Sequence, residues 1–228
     1  MPSTQSSSLR TRGRPPMTAA DVGKIRERII EATREVFTRV GYHGLSVELV
    51  IAQAGVSRPT FYKYFRSTEE PMEVLISQVN DDLVSRVMQA VSGTPEPMAK
   101  VEAALQAWRQ WGADLGDFLR PFFSELNDLH SPVGRHRQRT LGVLTEQIAL
   151  VVELMGRERP GALRVETFLH GVEFLGYRYH LNTPCDDASW EETRAVMFRM
   201  ALALLGAEAD WGNALGLARD WRISLDHT

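Results

Sequence analysis

The sequence predicts an all-α protein of about nine or ten helices, a small N-terminal three-helix domain followed by a larger helical one. Three observations predict it. Apolar residues recur at three- and four-residue spacing in one stretch after another, the pattern of a helix with one buried face. No stretch alternates apolar and polar residues, so no sheet is expected. Glycine, proline and short polar clusters fall between the periodic stretches, where helices stop.

In chain order, residues 1–20 are rich in Ser, Thr, Arg, Pro and Gly and are expected to form a flexible basic arm. From Val22 onward Ile25, Ile29, Ala32, Val36, Phe37 and Val40 share one face, which predicts a helix to about Val40. Gly41 and Gly44 supply its stop and a turn. Two short helices are expected over about 47–53 and 58–64, separated by Ala54-Gly55-Val56-Ser57. A longer helix over 68–91 carries Val74, Leu75, Val79, Leu83, Val87 and Met88, until Gly93-Thr94-Pro95-Glu96-Pro97 breaks it. Further helices are expected over about 98–113, 118–130, 133–156, 163–182, 189–207 and 210–222. The expected domains are the arm (1–20), the N-terminal head (21–67) and the body (68–228), with the 68–91 helix belonging to both halves.

Composition bounds the function classes. With 43% hydrophobic and 24% charged residues in 228, the chain is ordinary for a globular protein. It lacks the run of about 20 apolar residues that spans a bilayer, and residues 2–10 lack the apolar core of a secretory signal. Cys185 stands alone, so an intrachain disulfide is impossible and a reducing, cytoplasmic setting is expected. The charge is divided: residues 1–66 carry a formal +6 and the rest −9, returning the net −3. A basic head on an acidic body suggests that the head meets a polyanion.

Residues 46–66 carry the function. Ser46 and Ser57 can each cap a short helix by accepting an orphan backbone N–H. Gly55 stands at a sharp turn, where a left-handed backbone is free of steric cost only for glycine. Pro59 is tolerable only in a first turn, which supports a helix starting at Ser57. Val50, Ala54, Val56, Phe61 and Phe65 can pack inward against Ile29, Val36 and Phe37. Arg58, Pro59, Thr60, Tyr62, Lys63 and Tyr64 are left on or near the outer face. The hydroxyls of Thr60, Tyr62 and Tyr64 and the Lys63 ammonium suit phosphate oxygens. Arg58 suits guanine, and Pro59 a thymine methyl. Ser46 and Val47 at the start of the first short helix complete the expected contact set, with Arg10, Arg12 and Arg14 of the arm. Arginines flanking Gly13 suit a narrow A·T minor groove, while a plain basic tail would give nonspecific attraction only.

The segment Ala54-Gly55-Val56-Ser57-Arg58-Pro59-Thr60-Phe61-Tyr62-Lys63-Tyr64-Phe65 resembles the signature of TetR-family (tetracycline-repressor-like) regulators. The resemblance implies an all-helical homodimer that binds a palindromic operator in double-stranded DNA and is usually a repressor released by a small-molecule effector. Two positions depart from the family pattern. Ile51 stands where a small residue is usual, so the short helices are expected to cross wider or Ile51 to turn outward. Thr68 stands where a phosphate-contacting lysine is usual, with Pro71 close behind; capping by Thr68 puts Pro71 at the third helical position, where no hydrogen bond is lost.

The body is rich in aromatic residues, a pattern that serves either a plain core or an apolar cavity. Trp108, Trp111, Phe122, Glu125, Phe168, His170, Glu173, Phe174 and Tyr177 are the candidate pocket residues for an apolar or aromatic effector, and Asn127 is a further polar anchor. The stretches 163–182 and 189–207 sit where the family builds its dimer interface, and the 208–228 tail with Trp211, Leu215 and Trp221 can add a covering helix. The six histidines show no paired ligand spacing, and no phosphate loop, dinucleotide fingerprint or nucleophile elbow appears. No metal, no cofactor and no catalytic role are expected. An alternative stays open, in which the body is a protein-interaction or activation module without a ligand.

Overall fold

The computed structural model describes residues 19–182 and 185–206, all-helical and without strands among them. The head holds α1 (Ala19–Val40), α2 (Val47–Ala54) and α3 (Arg58–Tyr64). The body holds α4 (Glu69–Ser92), α5 (Pro97–Leu115), a 3-10 turn (Gly116–Phe118), α6 (Leu119–Glu125), α7 (Pro132–Leu154), α8 (Ala162–Leu181) and α9 (Asp187–Leu205). The helix expected over 210–222 and the basic arm with Arg10, Arg12 and Arg14 lie outside the described residues. No described helix is long and apolar enough to cross a membrane.

Local chemistry sets the boundaries. The Leu49 N–H donates to Ser46 Oγ and the Thr60 N–H to Ser57 Oγ, each at 3.3 Å, so both expected caps form. Gly55 takes φ +59° and closes α2 by donating its N–H to the Ile51 carbonyl. Thr68 precedes α4 without a side-chain cap, which puts Pro71 at the third helical position, where its missing N–H leaves no ladder bond unmade. Ile51 is partly buried against the head core. One stretch differs from expectation: the helix expected over 118–130 ends at Glu125. There the Asp128 N–H donates to the Glu125 carbonyl at 3.0 Å and the Ser131 N–H to the Asp128 carbonyl at 3.1 Å. Ser131 then caps α7, with Pro132 as its first residue.

A single buried cluster runs from head to body without a break. Ile29, Val36, Phe37, Val50 and Phe61 of the head continue through Met72, Leu75 and Ile76 of α4 to Trp111, Phe118 and Phe122. The Phe37 and Phe118 rings, 5.1 Å apart, join α1 to the 3-10 turn. Trp111 is fully buried and its indole N–H donates to the Val79 carbonyl at 3.1 Å. Helix α8 passes Trp108 closely: a Cβ on Gly176 would lie 1.6 Å from the Trp108 ring, so this crossing requires glycine. A second cluster, with Phe168, Val172, Trp190 and Met197, holds α8 and α9 together.

Candidate functional site

In α3, Phe61 is buried, while Arg58, Pro59, Tyr62 and Lys63 are exposed and Thr60 is half-buried. A seven-residue helix makes few intrahelical bonds and depends on that buried face and its Ser57 cap. Ser57 Oγ also exchanges a hydrogen bond with Thr60 Oγ1 at 2.8 Å, which fixes the Thr60 rotamer. Arg58 is held by Glu48 of α2 at 3.0 Å and lies over the Tyr62 ring at 5.9 Å. The Tyr62 hydroxyl first, and the Glu48 carboxylate after it, raise the Arg58 pKa above its ordinary value. Ser46 and Val47 lie half-buried at the start of α2.

Tyr64 differs from the rest. Its ring packs partly against the head core and its hydroxyl is buried without a partner, so it does not stand on the outer face. The reason is the helical turn: Tyr64 follows Phe61 by three residues and shares its inward side. The ridge presented to solvent therefore consists of Arg58, Pro59, Tyr62 and Lys63.

In the body, α4, α5, α7 and α8 surround a cavity of about 160 Å³. Of the nine residues that the sequence singled out, Trp108, Trp111, Phe122, Phe168, Glu173 and Tyr177 line it. Phe174 does not: it points outward from α8 and is 57% exposed. His170 sits at the edge, where its Nδ1 meets the Arg137 guanidinium at 2.9 Å. Glu125 is buried at the end of α6, against the head rather than in the cavity. Asn127 also stays outside, its side-chain oxygen 3.4 Å from Arg137.

The cavity also has walls outside those nine residues. Helix α4 contributes Asn80, Leu83 and Val87, and α7 contributes Arg137, Thr140 and Leu144. Arg137 holds both oxygens of Glu173 through Nε at 3.0 Å, and Nη2 adds a bond of 2.6 Å. Glu173, as the bidentate partner, raises the Arg137 pKa. Burial first, and Glu173 next, push the Tyr177 phenol well above its usual range. The Asn80 side-chain nitrogen is buried without a hydrogen-bond partner. A lone asparagine among the apolar positions of α4 is the sequence signal that would have found this wall. The whole is an apolar chamber with one neutralised ion pair and one spare donor, suited to a mostly apolar guest with a polar acceptor.

Comparison with known proteins fits this arrangement. Residues 29–71, from the second half of α1 into α4, match the family model for bacterial regulatory proteins of the tetR family. The HTH-type transcriptional activator FasR of Mycolicibacterium smegmatis is 34% identical over 83 residues, 36% of this chain and 38% of that protein. The HTH-type transcriptional regulator UidR of Escherichia coli is 29% identical over 68 residues, 30% of this chain and 35% of that protein. The matches thus span little more than a third of those relatives' length. Among solved structures, a TetR transcriptional regulator from Chloroflexus aurantiacus superposes with TM-score 0.64 at 13% identity, covering 81% of this chain and 96% of that one. The fatty acid degradation regulator FadR from Bacillus halodurans superposes with TM-score 0.61 at 17% identity, covering 76% and 94%. These structures share the fold of head and body together. The segment from α1 into α4 thus matches the tetR family of bacterial regulatory proteins, and the described chain shares the fold of these solved regulators.

Proposed function

We propose that the protein is a DNA-binding transcriptional regulator of the cytoplasm that acts as a homodimer and is controlled by a small apolar effector. The observation that carries the reading is α3: one buried face anchors it, and its opposite face presents Arg58, Pro59, Tyr62 and Lys63 to solvent. A helix so held enters the major groove, with Arg58 reading a guanine edge and Tyr62 and Lys63 on phosphates. Arg58 must leave Glu48 to do so, and that exchange of one carboxylate for a base edge supports sequence preference over general attraction. Ser46, Val47, Ser57 and Thr60 lie beside this ridge as backbone contacts, and Arg10, Arg12 and Arg14 extend the reading to the minor groove.

Dimerisation is supported by the outer faces of α8 and α9. Leu163 at 77%, Phe174 at 57% and Val196 at 38% exposure are large apolar side chains on the outer faces of adjacent helices. Burying them against a second copy gives the two-fold arrangement that a palindromic operator requires. The cavity, of the size that holds a molecule of about one benzene ring, supports an apolar or aromatic effector with one acceptor group for Asn80. Repression relieved by the effector is the reading we adopt, because an occupied operator blocks transcription without any further contact surface. A second reading, activation, is favoured by the name of FasR, a transcriptional activator.

In vitro selection of duplexes by the purified chain is the test. The expected result is an enriched two-fold symmetric site; a dimer that ignores every duplex at low salt would overturn the reading. Removing residues 1–16 is expected to weaken binding and flatten its salt dependence, since each arginine released from phosphate takes a counterion exchange with it.

A further inference from the structure

Where the head meets the body, three potential ligands converge: Glu125 and Asp128, three residues apart, meet His43, which lies more than eighty residues earlier in the chain. His43 lies in the turn after α1, Glu125 ends α6, and Asp128 sits in the turn before α7. One ligand atom from each falls within 4.8 Å of the other two. Glu125 is nine-tenths buried and its Oε2 has no hydrogen-bond partner. A buried carboxylate oxygen left without a hydrogen-bond partner is costly for a core to hold. The nearby cation on α7, Arg135, is spent on Glu69 and Glu73.

The geometry points to a site for a divalent transition-metal ion, of the zinc class, held by His43 Nε2, Asp128 and Glu125 and joining the DNA-facing head to the body. Nothing in the regulator reading requires it. The donor set is one imidazole nitrogen and two carboxylates, which suits zinc and its first-row neighbours. Asp128 is already oriented: its Oδ1 accepts from the His130 N–H at 2.9 Å and its Oδ2 faces His43 Nε2 at 2.9 Å. Tetrahedral zinc with bonds of roughly 2.0–2.2 Å sets its ligands about 3.3–3.5 Å apart. The His43–Asp128 pair must therefore open by roughly half an ångström, and the His43 side chain, 71% exposed, is free to move. The same exposure leaves the fourth position to solvent. The ion would satisfy the Glu125 oxygen and tie the α1–α2 turn to the α6–α7 turn, fixing how the head is carried.

The test is an optical titration of the untagged, EDTA-stripped full chain with Co²⁺, whose visible ligand-field bands report nitrogen and oxygen ligation, followed by displacement with Zn²⁺. One Co²⁺ per chain is expected, bleached by Zn²⁺ and accompanied by a rise in melting temperature. His43→Ala and Asp128→Asn are each expected to weaken binding by more than the roughly 10–100-fold loss that follows removal of an outer-shell partner. Glu125→Gln should act the same way, and His170→Ala, on α8, should not. Both leading variants alter side chains at the surface turns, and a far-UV circular dichroism spectrum checks that they fold. Absence of ligand-field bands, or wild-type titration by His43→Ala and Asp128→Asn, would overturn the site. The readout involves no DNA, so its failure and a failure of DNA binding are told apart directly.

Discussion

The head and the body place their working side chains in opposite ways. Helix α3 turns Phe61 inward and offers Arg58, Tyr62 and Lys63 to the outside. The body turns Trp108, Trp111 and Tyr177 toward an internal chamber and leaves most of its ion pairs and scattered apolar residues outside. Recognition and stability are thus carried by different residues in the head but by the same residues in the body. A substitution on the α3 ridge tests function alone, whereas one in the chamber wall tests both at once.

The largest effect is expected where the two roles coincide. Trp111→Ala removes a side chain only 1% exposed, together with its hydrogen bond to Val79, and is expected to destabilise by about 3–5 kcal/mol. Thermal unfolding measures it. A loss below about 2 kcal/mol would mean that the chamber collapses onto the gap, and that its walls are softer than those of the head.

On the ridge the same experiment should give nearly nothing, and the loss should appear in DNA affinity instead. Arg58→Ala is expected to cost about 1–3 kcal/mol of operator binding and to relax preference at one base pair, with the melting temperature almost unchanged. The Glu48 pair it also removes is exposed on both sides and contributes little to stability. Lys63→Ala is expected to weaken every duplex alike and lower the salt slope by about one. Electrophoretic or anisotropy titration at two salt concentrations separates the two. Equal losses on specific and random DNA for Arg58→Ala would remove its base-reading role.

The same contrast decides what was legible in the sequence. In the head the whole argument is local: caps, turn glycine, Pro59 and inward aromatics lie within about twenty residues, and each constrains the next. Tyr64 escaped because its hydroxyl chemistry suggested a contact while its helical position, three residues after Phe61, sent the ring inward. In the body, periodicity found the helices, but an apolar stripe reads the same whether it faces a core, a chamber or a second copy. Phe174 and Phe168 are six residues apart on α8 and equally apolar, yet one is exposed and the other buried. Only the neighbours separate them. Asn80, Arg137 and the meeting of His43 with Glu125 and Asp128 escaped for a related reason, since each depends on a part of the chain remote in sequence.

His180 sharpens the comparison through pH. Burial against Trp108 first, and the nearby Arg109 charge next, lower its pKa from 6.5 to about 4. The unfolded chain therefore takes up the proton before the folded one. His180 contributes stability that is fully present above pH 6.5 and is lost as pH falls from there toward about 4. Allowing for solvent screening at a half-buried ring, the contribution is about 1–2 kcal/mol. Urea unfolding at pH 7 and pH 4.5 is expected to show a smaller difference for His180→Gln than for the wild type. Identical pH slopes would show that the ring gains water when the body is protonated.

The smallest effect is expected at the turn of the head. Gly55 holds φ +59°, yet a Cβ built there meets nothing within 4 Å. Gly55→Ala thus carries backbone strain alone, about 1–2 kcal/mol for a left-handed alanine, offset in part by a less flexible unfolded chain. A net loss of about 1 kcal/mol in thermal unfolding is expected, with DNA affinity kept once the chain is folded. If affinity falls while stability hardly moves, the strain has been relieved by rotating α3 on α2. The angle between those two short helices would then set recognition, with the exposed side chains adding to it.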